Sequence, residues 1–488
     1  MSRSAHSGTA VASGTLPVER LERLWGWGRT SSATSYVYRP STPEGVLQMF
    51  ELARAHGVTV GLRGAGQSYG DAALNAGNIC LDLSCMKRIL AWDPGQGIIQ
   101  LEPGVTIEQL WQYAIEDGWW PAVVPGTMFA TLGGCLGMNV HGKNNWAVGP
   151  IGEHVVEFEL LLPNGEVRRC SREHEAELFH AAIGGFGMLG CFLSVTLRLK
   201  RVHSGLLDVE PFVARSLDEM IEVFEARMRT ADHLVGWVDG LARGEQVGRG
   251  VVHQANHLGP GDDPEPARTL RVDSQTLPAT LIGVVPASMA WRLMRPFMNQ
   301  IGLRLINGVR YRWSRATGHR AYRQSHAAFA FLFDYIPNWN LVYGPGGMIQ
   351  YQSFVPASRA ARVFKMQLEL ARRNGLPALL GVLKRHRADP FLMSPAVDGY
   401  SLALEFKVTE RNRRRLWALA AEFDALVLEA GGRLYFAKDS TTTAATVRRA
   451  YGEERIERFL ALKRVCDPED RLVTDLFRRL LCGRDEAL

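Results

Sequence analysis

The stretch GLRGAGQSYGD at residues 61–71 has the glycine density of a loop that could hold a phosphate group. Gly64 and Gly66 fit the dinucleotide-binding pattern G-x-G-x-x-G, but Tyr69 occupies its third glycine position. Glycines that adopt positive φ angles let successive backbone N–H groups converge on an anion. Taken alone, the loop is also compatible with a plain turn.

Two further glycine-dense stretches follow, and the three together favour one large ligand. PGTMFATLGGCLGMNVHGKN occupies residues 125–144, and GGFGMLG occupies residues 184–190. Because small residues let the main chain approach a ligand closely, three such loops suit a cofactor threaded between backbone segments.

The elements around the first loop argue against a Rossmann turn. Residues 42–57 carry helix start and stop signals, and residues 58–64 are typical of a strand that runs into the loop. After Gly70 the chain continues into another strand, whereas a Rossmann turn aims a helix N-terminus at the pyrophosphate. A hairpin is predicted over 155–170, with Asn164-Gly165 as its turn. Because helices and strands are mixed without βαβ alternation, we predict an α+β fold.

The three glycine segments together resemble the FAD-binding domain of the vanillyl-alcohol-oxidase, or PCMH, type. Within that superfamily the resemblance is strongest to the decaprenylphosphoryl-β-D-ribose 2′-oxidase family, and it covers most of the chain. It includes WGWGRT at 25–30, YGPGGMIQYQ at 343–352 and GGRLYFAKDS at 431–440. The HGKN and AKDS tetrapeptides are its most specific parts.

The resemblance implies FAD as the cofactor, bound without a covalent link. Many relatives carry a histidine, bonded to the flavin, where this chain has Gln67, and glutamine has no nucleophilic nitrogen for such a bond. The residues that the resemblance assigns to FAD binding are Arg63, Gly64, Ala65, Gly66, Gln67, Ser68, Tyr69, Gly126, Thr127, Thr131, Gly133, Gly134, Asn139, Gly142, Gly187 and Tyr435.

The resemblance also implies the catalytic and substrate-binding residues. His141 and Lys438 would face the reacting sugar, with Lys438 as proton acceptor, since a desolvated lysine can have a lowered pKa. Outside the resemblance, Lys438 would be interpreted as an exposed lysine and His141 as a core histidine. The residues assigned to substrate binding are Tyr69, Gln350, Gln352, Lys384 and Ser401. The family has an asparagine and a cysteine where this chain has Ser401 and Ala403, so its pocket lining differs.

The implied function is oxidation of a secondary sugar hydroxyl, the 2′-OH of a polyprenylphosphoryl ribose-type glycolipid, to a keto sugar. This is the first half of an epimerisation in cell-wall or glycolipid arabinose biosynthesis, which an NAD(P)H-dependent keto-reductase partner would complete. Alternatives on the same fold are an aldonolactone or alditol oxidase and a sterol-like reductase. A non-catalytic flavin-binding scaffold is a third interpretation, against which the presence of both His141 and Lys438 argues.

The expected architecture has two parts around the flavin. A disordered tail (1–16) precedes a two-subdomain FAD-binding domain (17–203). A substrate domain (204–431) with a largely antiparallel sheet, flanking helices and a mobile loop at about 254–290 follows. The segment 432–488 completes the FAD domain. The active site would then lie at the domain junction, where pockets are frequent.

Charge and composition restrict the partners. The chain has 488 residues with 56 basic and 50 acidic side chains, a net charge of +6. This mild excess agrees with an anionic ligand or a membrane surface, and no nucleic-acid motif accompanies it. The arginines between 304 and 323 are typical of a solvated face or a contact with an anionic substrate. No signal peptide, membrane span, Cys/His metal cluster or C-x-x-C pair is apparent, so we expect a metal-free, cytoplasmic protein, peripheral at the inner membrane.

Overall fold

A computed structural model describes residues 16–281, 285–318 and 320–482, and the fold that it shows confirms the predicted α+β class. Three larger sheets and two short ribbons form within these residues. Of the expected disordered tail over 1–16, residues 1–15 lie outside the described part. Leu16 does not fit that expectation, because it is buried in a hydrophobic core with Val46 and Phe50.

The first sheet presents the first glycine segment. Its strands are β1 (Leu21–Trp25), β2 (Ser32–Tyr38), β3 (Val60–Arg63) and β4 (Ile79–Asp82), in the order β1-β2-β4-β3. The pairs β2–β4 and β4–β3 are parallel, and helix α1 (Pro43–His56) makes the crossover to β3. Thr42 caps α1 through a bond from Gly45 N, and Gly57 ends it at φ 65°, as predicted. The part of the first glycine segment beyond Arg63 therefore leaves the carboxyl end of a parallel strand.

The second sheet is antiparallel, and the third glycine segment leads directly into its central strand. The strands of this region are β5 (Ile89–Asp93), β6 (Ile98–Leu101), β7 (Trp119–Trp120), β8 (Val155–Leu161), β9 (Val167–Ser171), β10 (Cys191–Arg198) and β11 (Lys200–Arg201). The sheet order is β5-β6-β10-β8-β9, while β7 pairs with β11. Its helices are α2 (Ile107–Ala114), α3 (Leu132–Gly137), α4 (Asn145–Val148) and α5 (Ala176–Ala182). The predicted hairpin is the β8–β9 pair, with Gly165 at φ 91°.

The third sheet has eight strands within the described residues, and all its neighbours are antiparallel. The strands of this region are β12 (Leu206–Ala214), β13 (His233–Val238), β14 (Gly250–His257), β15 (Thr280–Leu281), β16 (Val285–Pro286), β17 (Tyr322–Ser325), β18 (Met348–Pro356), β19 (Leu380–His386), β20 (Gly399–Lys407) and β21 (Arg433–Leu434). Their order in the sheet is β17-β12-β14-β13-β19-β20-β18-β21, and β15 and β16 form a separate ribbon. Seven of the eight strands lie within 204–431, where an antiparallel substrate sheet was expected, whereas β21 belongs to the segment 432–488 that was expected to complete the FAD domain.

Helices pack on both faces of this sheet and extend the chain beyond it. They are α6 (Leu217–Arg227), α7 (Pro266–Thr269), α8 (Ala287–Met294), α9 (Gln300–Thr317), α10 (His326–Ala330), α11 (Ala357–Arg373), α12 (Arg413–Glu429), α13 (Ala444–Tyr451), α14 (Glu453–Cys466) and α15 (Asp475–Leu481). Phe224, Phe364 and Phe423 from α6, α11 and α12 pack on Leu402 and Leu404 of β20. Because side chains alternate along a strand, the opposite face of β18–β20 is free for polar groups.

The irregular stretch predicted over 254–290 is shorter than expected. Residues 254–257 are strand, because they continue the pairing of β14 with β12. Beyond them the chain forms α7, in which Thr269 Oγ1 donates to Asp263 at 2.5 Å. Residues 282–284 lie outside the described part, and the mobility of the loop stays a prediction.

The C-terminal segment returns to the glycine segments. Ile456, Phe459 and Phe477 pack in the core that includes Leu136 and Phe186. Val60 N donates to Arg471 O at 2.7 Å, and Val473 N donates to Val60 O at 3.0 Å, so residues 471–473 run beside β3. These contacts support the proposed assignment of the segment from 432 onward to the FAD-binding domain.

Candidate active site

The three glycine segments converge at one place, although they are far apart in sequence. A Cβ on Gly64 would overlap Thr131 Oγ1 of the second segment. Phe186 N of the third segment donates to Gly137 O at 2.8 Å. Gly187, at φ 78°, faces Leu62 at the start of the first segment. Each segment therefore contacts the other two.

The first segment is held in shape by its own arginine. Gly66 has φ 67°, and a Cβ there would overlap the Arg63 guanidinium. Arg63 donates to the carbonyls of Ala73 and Trp25, both at 3.1 Å. Arg63 thus stabilises the loop from behind, while its predicted direct contact with FAD stays a prediction.

Three remote segments close around Tyr69. Tyr69 N donates to Ala437 O at 2.9 Å, and Gly28 N donates to Tyr69 O at 3.0 Å. Met348 N in turn donates to Gly28 O at 2.8 Å. The WGWG, YGPGGM and AKDS motifs, separated by most of the chain, are thereby joined by main-chain hydrogen bonds.

Arg479 of α15 fixes this junction from the C-terminal side. Its guanidinium contacts both carboxylate oxygens of Asp71 at 2.7 and 2.8 Å and Asp439 Oδ2 at 2.8 Å. The adjacent carboxylates raise the pKa of Arg479 despite its burial. The sequence analysis missed this residue, since nothing local marks an arginine on a C-terminal helix as a partner of residues 71 and 439.

Several buried polar atoms beside the glycine segments lack a partner among the described residues. They are Thr131 Oγ1, Asn139 Nδ2, His141 Nδ1, Asn144 Oδ1 and Ser440 Oγ. Buried polar groups are normally hydrogen-bonded, because leaving one unpaired costs about 1–3 kcal/mol. Together with the glycine surfaces, these unpaired groups fit a large ligand rich in hydrogen-bonding atoms, as FAD is.

The other predicted cofactor residues lie in the same region, with differing surroundings. Thr127 Oγ1 donates to Asp334 at 2.8 Å, and Met128 N donates to the same carboxylate at 2.7 Å. Burial raises the pKa of Asp334 to about 6. The sequence analysis missed Asp334, which positions the 126–128 turn. Ala65 is exposed, Gln67 and Ser68 are half-buried, and Gly133 and Gly134 abut Pro103 and Thr131 respectively.

The polar face of the third sheet presents the substrate-side residues in register. Gln350 pairs with Glu405 across β18 and β20, and Lys384 pairs with Ser401 across β19 and β20. Gln352 lies two residues from Gln350, so both point to the same face. The substrate residues predicted on these strands are therefore neighbours, and Gln350, Gln352 and Lys438 line one cavity.

Lys438 lies against the first glycine segment. Its Nζ is 3.8 Å from the centre of the Tyr69 ring, a cation–π distance. Burial lowers the pKa of Lys438 to about 7; the Glu405 carboxylate opposes this shift, and nearby Lys384 adds to it. A lysine with this pKa is partly neutral at pH 7 and can accept a proton.

Glu405 is a charged group that the sequence analysis missed. Gln350 Nε2 donates to Glu405 Oε1 at 2.7 Å, and the Tyr343 hydroxyl donates to Glu405 Oε2. Burial raises the pKa of Glu405. Gln350, predicted to bind substrate, is thus oriented by Glu405. The signal was the two-residue spacing of Ser401, Ala403 and Glu405 on β20, which places the carboxylate on the pocket face.

His141 belongs to a buried chain of hydrogen bonds. Gln352 Nε2 lies 3.1 Å from His141 Nε2 and 3.2 Å from Ser401 Oγ. Ser401 Oγ lies 2.7 Å from His386 Nε2. Burial lowers the pKa of His141, and Lys384, His386 and Lys438 lower it further. The lowered pKa therefore favours the neutral form of His141.

His386 was missed as well, and Tyr435, predicted to bind the cofactor, lies beside His141. His386 is on the same face of β19 as Lys384, two residues away, which is a readable signal. The rings of His141 and His386 are 4.8 Å apart, and those of His141 and Tyr435 are 5.2 Å apart. The aromatic groups thus enclose the histidine predicted to face the substrate.

A second pocket adjoins this site, and its wall includes several nitrogen-bearing side chains. Lys143, Lys384, His233 and His326 contribute to its wall together with Gly126 and Gly142, and no lining residue is acidic. Burial lowers the pKa of Lys384 to about 8, of His233 to about 3 and of His326 to about 4. Because Lys384 stays largely charged at neutral pH and no wall residue is acidic, the pocket suits an anionic group.

Lys143, in the HGKN motif, was not assigned a role from the sequence. Its Nζ donates to the carbonyls of Phe329 and Ala330, and burial lowers its pKa. These bonds tie the motif to α10.

Among the described residues, no group of His, Cys, Asp and Glu side chains could hold a metal ion. Nor does any described helix have the length and apolar character that crossing a bilayer requires.

Comparison with known proteins agrees with this geometry. Residues 34–171 match the family model described as "FAD binding domain". The chain is 32% identical over 467 residues to decaprenylphosphoryl-beta-D-ribose oxidase of Mycolicibacterium smegmatis, covering 94% of this chain and 97% of that protein. It is 30% identical to bovine L-gulonolactone oxidase over 36% of this chain and 40% of the relative. A putative D-arabinono-1,4-lactone oxidase of Neurospora crassa is 23% identical over 94% of this chain and 86% of its own length.

Proposed function

Because the chain belongs to the decaprenylphosphoryl-β-D-ribose oxidase family of FAD-dependent oxidoreductases that act on CH–OH groups, we propose that it oxidises a secondary hydroxyl of a glycosyl phosphate. The proposed substrate is the 2′-OH of a polyprenylphosphoryl ribose-type glycolipid, and the product is the keto sugar. The observation that carries the proposal is the position of Lys438, with a pKa of about 7, against Tyr69 of the first glycine segment.

The chain's own residues supply binding, orientation and a proton acceptor. Bound FAD would take the hydride from the carbinol carbon. Neutral Lys438 accepts the hydroxyl proton at Nζ. The amides of Gln350 and Gln352 orient the sugar, since Glu405 fixes the first and the His141–Ser401 pair fixes the second. Burial of these groups excludes water, which strengthens each polar contact.

The second pocket supports a phosphate-bearing substrate over a neutral polyol. Lys384 contributes to its wall and also lies near Lys438 and His141, so one amine borders both the reacting site and the anion pocket. An ammonium group that binds phosphate fixes the sugar relative to Lys438. The product would pass to an NAD(P)H-dependent keto-reductase, which completes the epimerisation.

A second candidate is oxidation of a soluble aldonolactone or alditol. The full-length similarity to a lactone oxidase favours it, because that relative aligns over the sheet that carries Gln350 and Lys384 as well as the FAD domain. A neutral lactone would leave the nitrogen-lined pocket without an ionic partner. The two candidates therefore differ in their need for Lys384.

Anaerobic mixing of the purified enzyme with candidate substrates tests the proposal. Prenylphosphoryl ribose should bleach the visible flavin band at low concentration, whereas L-gulonolactone and simple alditols should not. Bleaching by the lactone alone would replace the proposed substrate with the second candidate. Bleaching by none of them would contradict both.

Non-covalent binding of FAD is part of the same proposal and has its own test. Gln67 lies half-buried in the first glycine segment and offers no nucleophile for a covalent link. The flavin should therefore leave the protein completely on a denaturing gel. Fluorescent flavin that migrates with the polypeptide would contradict this.

A further inference from the structure

Helices α8 and α9 and the turn between them expose a row of large apolar side chains. We call this row the α8–α9 surface, and it consists of Met289, Leu293, Phe297, Ile301, Leu305, Val309 and Trp313. Ile301 is 82% exposed and Trp313 is 71% exposed, so these side chains lie well outside any core. Soluble monomers rarely expose a contiguous apolar patch of this kind, and such patches mark interaction sites.

The opposite side of α9 is packed, so the helix cannot roll to hide the row. Leu303, Asn307 and Tyr311, spaced four residues apart, are buried. Asn307 Nδ2 donates to Asp239 Oδ1 at 2.8 Å, and Tyr311 packs with Trp237. The exposed row on α9 has the same four-residue spacing but begins two residues before Leu303, at Ile301, and continues with Leu305, Val309 and Trp313. At 3.6 residues per turn, this offset puts them on the reverse face.

The surroundings of the row are strongly basic. Residues 274–333 contain no Asp or Glu. The arginines in that segment are Arg292, Arg295, Arg304, Arg310, Arg312, Arg315, Arg320 and Arg323. Arg304, Arg312 and Arg315 are exposed on α9 beside the apolar row. Arg323 pairs with Asp208, whereas Arg304, Arg312 and Arg315 have no ion pair among the described residues. Exposed apolar groups next to such arginines are complementary to an anionic lipid surface.

We propose that the α8–α9 surface docks this protein on an anionic membrane, with the apolar row at the headgroup boundary and the arginines on lipid phosphates. A second copy of the chain fits less well, because a two-fold contact through this face would oppose arginine to arginine. This inference rests on the proposed function and deepens it, since it specifies the surface through which the enzyme would reach a lipid-linked sugar.

The inner sides of the same helices pack on the candidate active site. Met298 and Leu303 share a core with Tyr69, Tyr343 and Met348. Trp291 and Met294 of α8 pack against the same core. Docking through the outer row would therefore bring the residues that surround Lys438 close to the bilayer, where a polyprenyl chain is anchored.

Vesicle co-sedimentation of the flavin-loaded enzyme tests the surface. Vesicles of phosphatidylcholine mixed with phosphatidylglycerol should pull down the wild type, and added salt should weaken the binding. The triple variant Ile301→Gln/Leu305→Gln/Trp313→Gln should bind roughly 100-fold more weakly, because three apolar groups no longer insert. Arg304→Gln/Arg312→Gln/Arg315→Gln should lose a similar factor of roughly 100 on these vesicles but little on phosphatidylcholine alone.

Matched controls come from exposed residues elsewhere on the chain. Tyr113→Gln/Val167→Gln/Val465→Gln removes apolar groups of comparable exposure, and Arg449→Gln/Arg464→Gln removes exposed charges. Both controls should bind as the wild type does. Thermal melting and the bound-flavin spectrum of every variant report folding, so a collapsed variant is recognised.

The outcomes separate this inference from the proposed catalytic function. Failure of the wild type to bind anionic vesicles, or equal binding by the apolar triple variant, would overturn the docking surface. A dimer in light scattering that the apolar variant dissociates would assign the surface to self-association instead. Flavin reduction by detergent-solubilised substrate is measured separately, and it should be unchanged in the docking variants. If the wild type shows no flavin reduction with this substrate, only the catalytic proposal is contradicted.

Discussion

The cofactor side and the substrate side of the candidate site are built differently. On the cofactor side, glycines let the main chain of three segments come together, as where Gly64 meets Thr131 and Gly137 accepts from Phe186. On the substrate side, long side chains project from adjacent strands and bond to one another, as Gln350 does to Glu405. The first arrangement depends on the absence of side chains and the second on their register.

This difference separates two kinds of failure. An added Cβ on the cofactor side displaces backbone and should affect flavin retention. A changed side chain on the sheet face leaves the backbone in place and should affect turnover while the protein stays yellow.

Lys438→Met should abolish turnover while retaining the flavin. Methionine keeps the length of the side chain but cannot accept a proton, and loss of a general base costs about 10²–10⁴-fold in rate. Stopped-flow reduction under anaerobic conditions should slow by roughly 1,000-fold with an unchanged bound-flavin spectrum. Lys87→Met, an exposed lysine far from the site in the sequence, is the control. Normal reduction by Lys438→Met would remove this lysine from the mechanism.

Gly70→Ala should weaken flavin binding. A Cβ at this position would overlap the Asp439 carbonyl, so the AKDS segment must move away from the first glycine segment. Overpacking of this kind costs about 1–3 kcal/mol, or roughly 10- to 100-fold in FAD affinity when it falls on the bound state. Titration of the apoprotein with FAD measures the change. Gly308→Ala, which meets nothing within 4 Å on α9, should bind FAD normally.

The pH profile should have two limbs, each tied to one lysine. Lys438, with its pKa lowered to about 7, must lose its proton to act as base, so the rate rises as pH increases through 7. Lys384, with its pKa lowered to about 8, must keep its proton to bind phosphate, so kcat/KM falls above pH 8. Lys384→Met should remove the falling limb. A falling limb that survives in this variant would assign it to another group.

Glu405→Gln should shift the rising limb without removing it. The Glu405 carboxylate holds the pKa of Lys438 up, so a neutral amide of similar shape should lower that pKa by on the order of one unit. The rate below pH 7 should then increase relative to its plateau. An unchanged limb would show that the carboxylate does not face Lys438, and a lost flavin would place Glu405 on the cofactor side.

The exposed arginines of α9 show the limits of sequence interpretation. Their clustering is visible in the sequence, and a solvated face was one expectation for it. The structure agrees that Arg304, Arg312 and Arg315 are exposed, but adds the apolar row beside them. The sequence did not reveal that the row is exposed, because apolar residues at four-residue spacing normally indicate a buried helix face.

The sequence by itself determined what depends on local backbone chemistry. The three glycine segments, the capped helix at 43–56 and the β8–β9 hairpin follow from residues with restricted or permissive φ angles, which act within a few positions. The motif resemblance predicted that Lys438 lies beside the glycine segments, although it is far from them in the sequence. Strand periodicity could also have indicated Glu405 and His386, since each shares a strand face with a predicted site residue.

Only the tertiary structure decided which remote groups meet. Arg479 reaches Asp71 and Asp439 from the last helix, and Asp334 holds Thr127 across more than two hundred residues. The pKa of Lys438 depends on burial and on a carboxylate from another strand, and neither is a property of the residues beside it in the chain. Local sequence restricts φ and ψ, whereas electrostatic surroundings arise from the packing of segments whose separation in space the chain order does not reveal.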